Sequence, residues 1–191
     1  MYERFFASLR EKVELSGDAE AAIAAVIQPK QVQRRQQLLR EGDVSTRLSF
    51  VDSGAIYSYT LDAKGAQHVI QFAFPGWWIG DLYSLFTAEP GRLYLEALAD
   101  SELLQIRIED HNLLLDTVPV YERYMRILIQ NAYVALQRRL GGTLGLSAEQ
   151  RYAALLYQNP EILNQVPQHL IASFLGVTPE TLSRIRRQLS R

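Results

Sequence analysis

The sequence predicts an α+β chain: short antiparallel strands flanked by helices, then one long helix, then a C-terminal helix-turn-helix. Three observations carry this reading. Between Gln31 and Ile108 the apolar residues come in short runs broken by Gly- and Asp-bearing turns. From Pro119 they recur at helical spacing over about 22 residues, roughly 33 Å of rod. From Val166 onward two short helical segments meet at Gly176, and the second has two chemically opposed faces.

Taken in order, Tyr2 to Lys12 is apolar at Phe5, Phe6 and Leu9 and predicts a short helix. A second is predicted from Ala19 to Ile27, after Ser16-Gly17-Asp18, and Pro29 ends helical territory. Strands are expected at Gln37 to Arg40, Leu48 to Val51, Ala55 to Leu61, His68 to Phe74, Arg92 to Leu98 and Glu102 to Ile106. Asp62-Ala63-Lys64-Gly65 supplies a hairpin turn. Regular short strands of this kind predict an antiparallel sandwich or barrel. Asp116-Thr117 cap the long helix, Pro119 suits its first turn, and Gly141-Gly142 is expected to end it. Tyr121, Met125, Leu128, Ala132 and Ala135 recur at steps of four and three, the spacing of a coiled-coil seam, so this face is expected to dimerise. Ser147 with Gln150 reads as a capping box opening a helix that runs to Asn159-Pro160.

In the terminal motif, Thr178 can cap the last helix and Pro179 fits its first turn without losing an amide bond. Leu182, Ile185 and Leu189 fall within one arc of about 60°, and Glu180, Arg184, Arg187 and Arg191 within another nearly opposite. One face belongs to a core; the other presents guanidinium groups on a rigid rod, as insertion into the DNA major groove requires. On this reading Thr178, Thr181 and Ser183 meet phosphates, Glu180, Arg184 and Arg187 reach base edges, and Arg191 meets phosphate. The plainer alternative is a solvated basic face near a helix C-terminus.

Composition narrows the field. The 191 residues are 48% apolar and 21% charged, the balance of an ordinary globular protein. No apolar run is long enough to span a bilayer, and the charged N-terminus is not a signal peptide, so a cytoplasmic location without membrane association is expected. Cysteine is absent, which excludes disulfides, thiol catalysis and Cys-ligated metal or iron–sulfur centres. Net charge is −1, but the average conceals a division. Residues 1–139 carry 15 Lys or Arg against 18 Asp or Glu, while residues 140–191 carry 5 Arg against 3 Glu.

Several stretches resemble the Crp/Fnr family of bacterial transcription regulators: Leu39 to Asp43, Phe50 to Ile56, Trp78-Ile79-Gly80-Asp81, and the strand from Arg92 to Leu98 with Ala99 to Leu104 after it. The resemblance covers essentially the whole chain. Gln71 to Asp81 and Tyr133 to Arg139 further resemble a short branch common in Bacteroidetes. It implies an N-terminal β-roll (a double-stranded jelly roll of the cyclic-nucleotide-binding type) over residues 1–115, a dimerisation helix over 116–141 and a helix-turn-helix domain over 142–191. It also implies a homodimer on double-stranded DNA and a roll that senses a small effector or holds none. Two departures stand out. No β-hairpin wing is evident after Leu189, and Pro179 stands where relatives often place a base-reading Arg.

In relatives that bind cyclic nucleotides, a Gly-Glu pair meets the ribose and an Arg-Ser/Thr pair meets the cyclic phosphate. Gly80-Asp81, followed by Leu82, stands at the first position, but Gly91-Arg92 stands at the second. Even if a one-residue shift brings Arg92 into the pocket, the paired hydroxyl is missing, so cyclic AMP is not expected to bind. Another small effector at Gly80, Asp81, Leu82 and Arg92, or none, remains open, and no cofactor is expected. The three His are scattered, so neither a metal site nor a cupin-like enzyme is expected. Trp77-Trp78 is expected to plug the roll, and Asp110-His111 to lie in an interhelical linker. The remaining alternative is a ligand-sensing or partner-binding module with a weak DNA head.

Overall fold

The computed structural model describes residues 2–189. Two helices, α1 (Glu3–Arg10) and α2 (Gly17–Val26), precede eight strands. These are β1 (Gln28–Val32), β2 (Gln37–Leu39), β3 (Arg47–Ser53), β4 (Ile56–Leu61), β5 (Gln67–Ala73), β6 (Trp78–Ile79), β7 (Tyr94–Ala97) and β8 (Ser101–Arg107), with α3 (Leu82–Thr87) between β6 and β7. Then come α4 (Ile108–Thr117), α5 (Pro119–Gly145), α6 (Ala148–Gln158), α7 (Ile162–Gln165), α8 (Gln168–Leu175) and α9 (Pro179–Leu189). The chain divides into two compact units, residues 2–58 with 72–131 and residues 59–71 with 132–189.

The strands form two four-stranded sheets, ordered β1-β8-β3-β6 and β2-β7-β4-β5. The pairs β1–β8, β3–β8, β3–β6 and β2–β7 are antiparallel. Alternation along β3 and β8 sorts side chains between two cores. Val51 and Leu103 join Val32, Ile56, Ala73, Ile79, Leu95 and Ala97 in one. Leu48, Phe50, Leu104 and Ile106 join Phe5, Phe6, Leu9, Ile23, Leu114, Tyr121 and Tyr124 in the other. This sheet is buried on both faces, which explains why Leu48 to Val51 and Leu103-Leu104 read as continuous apolar runs. Pro29 is tolerated in β1 because that strand is an edge and a missing donor there breaks no interior ladder.

Two expectations for this unit are corrected. Trp78 does not plug the roll; it packs edge-on against Phe5 and Phe50 in the helix-covered core, and its indole N–H donates to Tyr124 Oη at 3.1 Å. Trp77 is 45% exposed beside Phe74. Asp110-His111 lies not in a linker but inside α4, where His111 is buried against Tyr121, 2.9 Å from its hydroxyl. Desolvation holds the His111 imidazole below its ordinary pKa.

The long helix does not stop at Gly141-Gly142 but runs on to Gly145. Glycine inside a helix costs only about 1 kcal/mol relative to Ala. The Ser147 capping box, with Ser147 Oγ accepting from the Gln150 amide and the Gln150 side chain accepting from the Ser147 amide, opens α6 immediately after.

In the second unit Tyr152, Leu155, Ile162, Val166, Leu170, Ile171, Ala172, Leu175, Leu182 and Ile185 are all buried. Between α8 and α9, Gly176 takes φ +68°, and the Val177 amide reaches back to the Ala172 carbonyl at 3.0 Å. That is a Schellman stop, and it needs a residue free to be left-handed at Gly176.

Candidate nucleic-acid interface

Helix α9 starts from a satisfied cap. Thr178 Oγ1 accepts from the Thr181 amide at 3.3 Å, and Pro179 follows in the first turn. Glu180 sits in that turn with its carboxyl below the usual carboxylate range, held there by a backbone amide and by the Thr178 hydroxyl. Leu182 and Ile185 anchor the helix in the small core, leaving Thr178, Glu180, Ser183, Arg184 and Arg187 exposed and Thr181 half-buried. Neither Arg184 nor Arg187 makes an ion pair among the described residues. Glu149, at the start of α6, lies near enough to feel the Arg184 charge, although its own backbone amide is the larger cause of its lowered pKa. Leu189 departs from expectation: it is 56% exposed, because the core ends one turn earlier at Ile185. Arg191 lies outside the described residues. Gln168 and His169 also stand exposed at the start of α8, a pair that helical periodicity alone had no means to flag.

The expected dimerisation seam is corrected in part. Tyr121 and Met125 are fully committed to the core of their own chain, and Leu128 packs half-buried against it. Only Ala132 and Ala135 of that set are exposed. Of the apolar residues left uncovered on α5, which also include Val134 and Leu144, Ile129, Tyr133, Leu136 and Leu140 lie within one arc of about 60°, about a quarter turn from the expected seam. Both stripes step by four and three, so spacing alone did not separate the face turned to the roll from the face left bare.

The structure gathers the four candidate effector residues around one cleft of about 550 Å³, lined by Gly80, Asp81, Leu82, Tyr83, Arg92 and Leu93. Their chemistry is not that of a nucleotide site. Asp81 is only 2% exposed. One of its oxygens caps α3 by accepting from the Ser84 amide at 3.1 Å, and the other accepts from the Leu93 amide at 3.3 Å. A side chain at position 91 would set its Cβ 2.3 Å from Asp81 Oδ2, so Gly91 is what lets the loop close on the carboxylate. Ser84, fully buried, ties the same corner by donating to the Glu89 carbonyl at 2.6 Å and accepting from the Ser45 amide at 2.8 Å. Arg92 is the one cation lining the cleft, and it stands exposed with Leu93, not a Ser or Thr, next to it. Tyr83 donates to Glu89, which raises the phenol's pKa. No group of three or more His, Cys, Asp or Glu among the described residues could hold a metal ion, and no helix among them is long and apolar enough to cross a membrane.

Residues 29–117 match the family described as the cyclic nucleotide-binding domain. Over 167 residues the chain is 27% identical to the fumarate and nitrate reduction regulatory protein of Vibrio cholerae, covering 82% of this chain and 66% of that one. It is 28% identical over 184 residues to the probable transcriptional regulator flp of Lacticaseibacillus casei, covering 92% and 82%. The chain is thus similar to curated bacterial regulators over most of its length. It spans just under two thirds of the length of the curated relatives it first matches. Among solved structures, the c-di-GMP-responsive global regulator CLP of Xanthomonas campestris shares the fold, with a TM-score of 0.71 at 17% identity and 92% of each chain covered. Within the matched stretch, the Asp81 carboxylate is turned inward and bonded to its own loop.

Proposed function

We propose that this chain is a DNA-binding transcription regulator that works as a homodimer, with α9 as its recognition helix. The observation that carries the proposal is the two-sided character of α9: capped, anchored by Leu182 and Ile185, and exposed along Glu180, Ser183, Arg184 and Arg187. Arg184, in the middle of the free stripe, is assigned to a base edge together with Glu180 and Arg187; Thr178, Thr181, Ser183 and Arg191 are assigned to phosphates. The printed names of the regulators it resembles support the same function. Ile129, Tyr133, Leu136 and Leu140 are assigned to the dimer contact, because a stripe of large apolar side chains on a long helix favours a partner helix over water. Cyclic AMP is not assigned as an effector, because both Asp81 oxygens already accept from amides of their own loop and no Ser or Thr stands beside Arg92 in the cleft.

The test is selection of double-stranded DNA from a random pool, followed by fluorescence anisotropy on the selected sites. A palindromic site with half-sites about 34 Å apart is expected. Arg184→Ala should cost about 1–3 kcal/mol, roughly 5–150-fold in affinity, and relax preference at one position per half-site. If Arg184→Ala in a folded dimer leaves affinity and preference unchanged, α9 is not the recognition helix. Calorimetry with cyclic AMP should show no binding; micromolar affinity would overturn the reading of Asp81 as a structural group.

A further inference from the structure

The end of the β4–β5 hairpin is built into the same compact unit as the C-terminal helices, although no motif in the sequence marks it as part of them. Strand β5 is the edge of the sheet β2-β7-β4-β5, so its outer amides and carbonyls have no neighbouring strand to pair with. Two side chains from the helices take that place. Ser173, near the end of α8, donates from Oγ to the Gln67 carbonyl at 2.6 Å and accepts from the Val69 amide at 2.9 Å. Its hydroxyl thus does what a partner strand would do. Arg139, on α5, donates to the Ile70 carbonyl, to the Val69 carbonyl at 3.2 Å and to the Phe174 carbonyl at 3.4 Å. Its guanidinium also lies 4.2 Å from the centre of the Phe174 ring.

Arg139 makes no ion pair among the described residues. Its partners are carbonyl dipoles and one aromatic face, and burial depresses its pKa. A cation partly withdrawn from water to meet three carbonyls is poorly explained as a generic surface contact. The geometry fits a role in which a planar fork reads three specific acceptors at once. Those acceptors belong to two segments, the hairpin (Val69 and Ile70) and the last turn of α8 (Phe174), immediately before the Gly176 turn that leads into α9.

We propose that Arg139 and Ser173 are positioning residues that bolt the β4–β5 hairpin to the first helix of the helix-turn-helix, so that the orientation of α9 follows the hairpin. The bolt rests on the DNA-binding reading above only for its consequence, not for its existence. With it in place, residues 67–70 and the last turn of α8 are held together; without it, α8 is released from the hairpin. A bolted pair of heads should tolerate one separation of half-sites; unbolted heads should tolerate several, because freedom the protein retains is freedom it can use to accommodate a misplaced half-site.

Two measurements on the full chain decide this. The first is hydrogen exchange. In Ser173→Ala, the Val69 amide loses its acceptor and should exchange at least about tenfold faster, with the buried α9 amides at Leu182 and Ile185 unchanged. In Arg139→Gln the whole 67–70 segment should speed up, and Arg139→Lys, which keeps the charge but not the fork, should fail to restore it. Unchanged exchange at Val69 in Ser173→Ala overturns the bolt. Should Arg139→Gln unfold the head, Ser173→Ala, which removes a single oxygen, still decides. The second is DNA affinity against selected sites whose spacer is lengthened by one base pair. The wild type should lose at least about tenfold and Ser173→Ala less than about threefold; equal losses overturn the coupling. If the wild type selects no DNA, the DNA-binding reading has failed, and hydrogen exchange alone settles the bolt.

Discussion

In the roll, the polar groups with catalytic or ligand-binding character are engaged by their own chain: Asp81 by the Ser84 and Leu93 amides, Ser84 by Glu89 and Ser45, His111 by Tyr121. In the head, Ser183, Arg184 and Arg187 stand in solvent along one stripe of α9. Both regions carry polar side chains in stretches that read as binding motifs; their partners differ. A carboxylate or hydroxyl that closes a loop or caps a helix is structural whatever motif it sits in, because freeing it for a ligand would leave a buried amide unpaired at a cost of about 1–3 kcal/mol. An Arg with no internal partner, held on a capped rod, is available for a ligand at no such cost.

The sharpest way to break that comparison is inside the small core under α9. Leu182→Ala should cost about 2–5 kcal/mol in denaturant unfolding of the head, with sequence preference on DNA unchanged in whatever folds. In the roll, Asp81→Ala should cost about 3–6 kcal/mol, since two amides lose a charged acceptor worth roughly 1.5–3 kcal/mol each. Full stability for Asp81→Ala, measured by urea unfolding, would return the carboxylate to the list of ligand groups. On α5, Leu136→Glu should weaken self-association by an order of magnitude or more in sedimentation, whereas the same change at Ala135 should have a smaller effect. Equal effects would restore the alanine seam.

The smallest expected effect is a pH dependence in the roll. Burial lowers the folded-state pKa of His111, so the unfolded chain takes up the proton first as pH falls. The contribution of His111 is therefore complete above the ordinary His value near 6.5 and is lost as pH drops through that value toward the lower folded one. The slope is at most about 1.4 kcal/mol per pH unit, and His111→Gln should flatten it. A stability curve that rises toward acid over this window would contradict the burial of a neutral imidazole.

Most elements were legible in order because their signals are local. The alternation of Ile56 to Leu61, the Asp62 to Gly65 turn, the Ser147 capping box and the Thr178-Pro179 helix start each involve residues within a few positions of one another. In that turn Asp62 accepts from the Lys64 and Ala66 amides, and these bonds, the Ala66 one foremost, hold its carboxyl below the usual range. Helix α4 was not legible, since it begins directly out of β8 with no side-chain cap at Arg107. The end of α5 was placed too early because two glycines weaken a helix without forbidding it.

Periodicity along the chain was thus enough for the class of fold, the succession of roll, long helix and helix-turn-helix, and the two faces of α9. It could not say which of two equally spaced stripes on α5 meets the roll, that Trp78 faces the helices rather than the roll's interior, that Asp81 is turned inward, or that the β5 edge is completed by Ser173 and Arg139. Local rules act through backbone torsions and neighbours three or four residues away. The other outcomes depend on partners far apart in the chain, such as Val69 and Ser173, and which polar group finds which partner is settled only when packing brings them within hydrogen-bond reach.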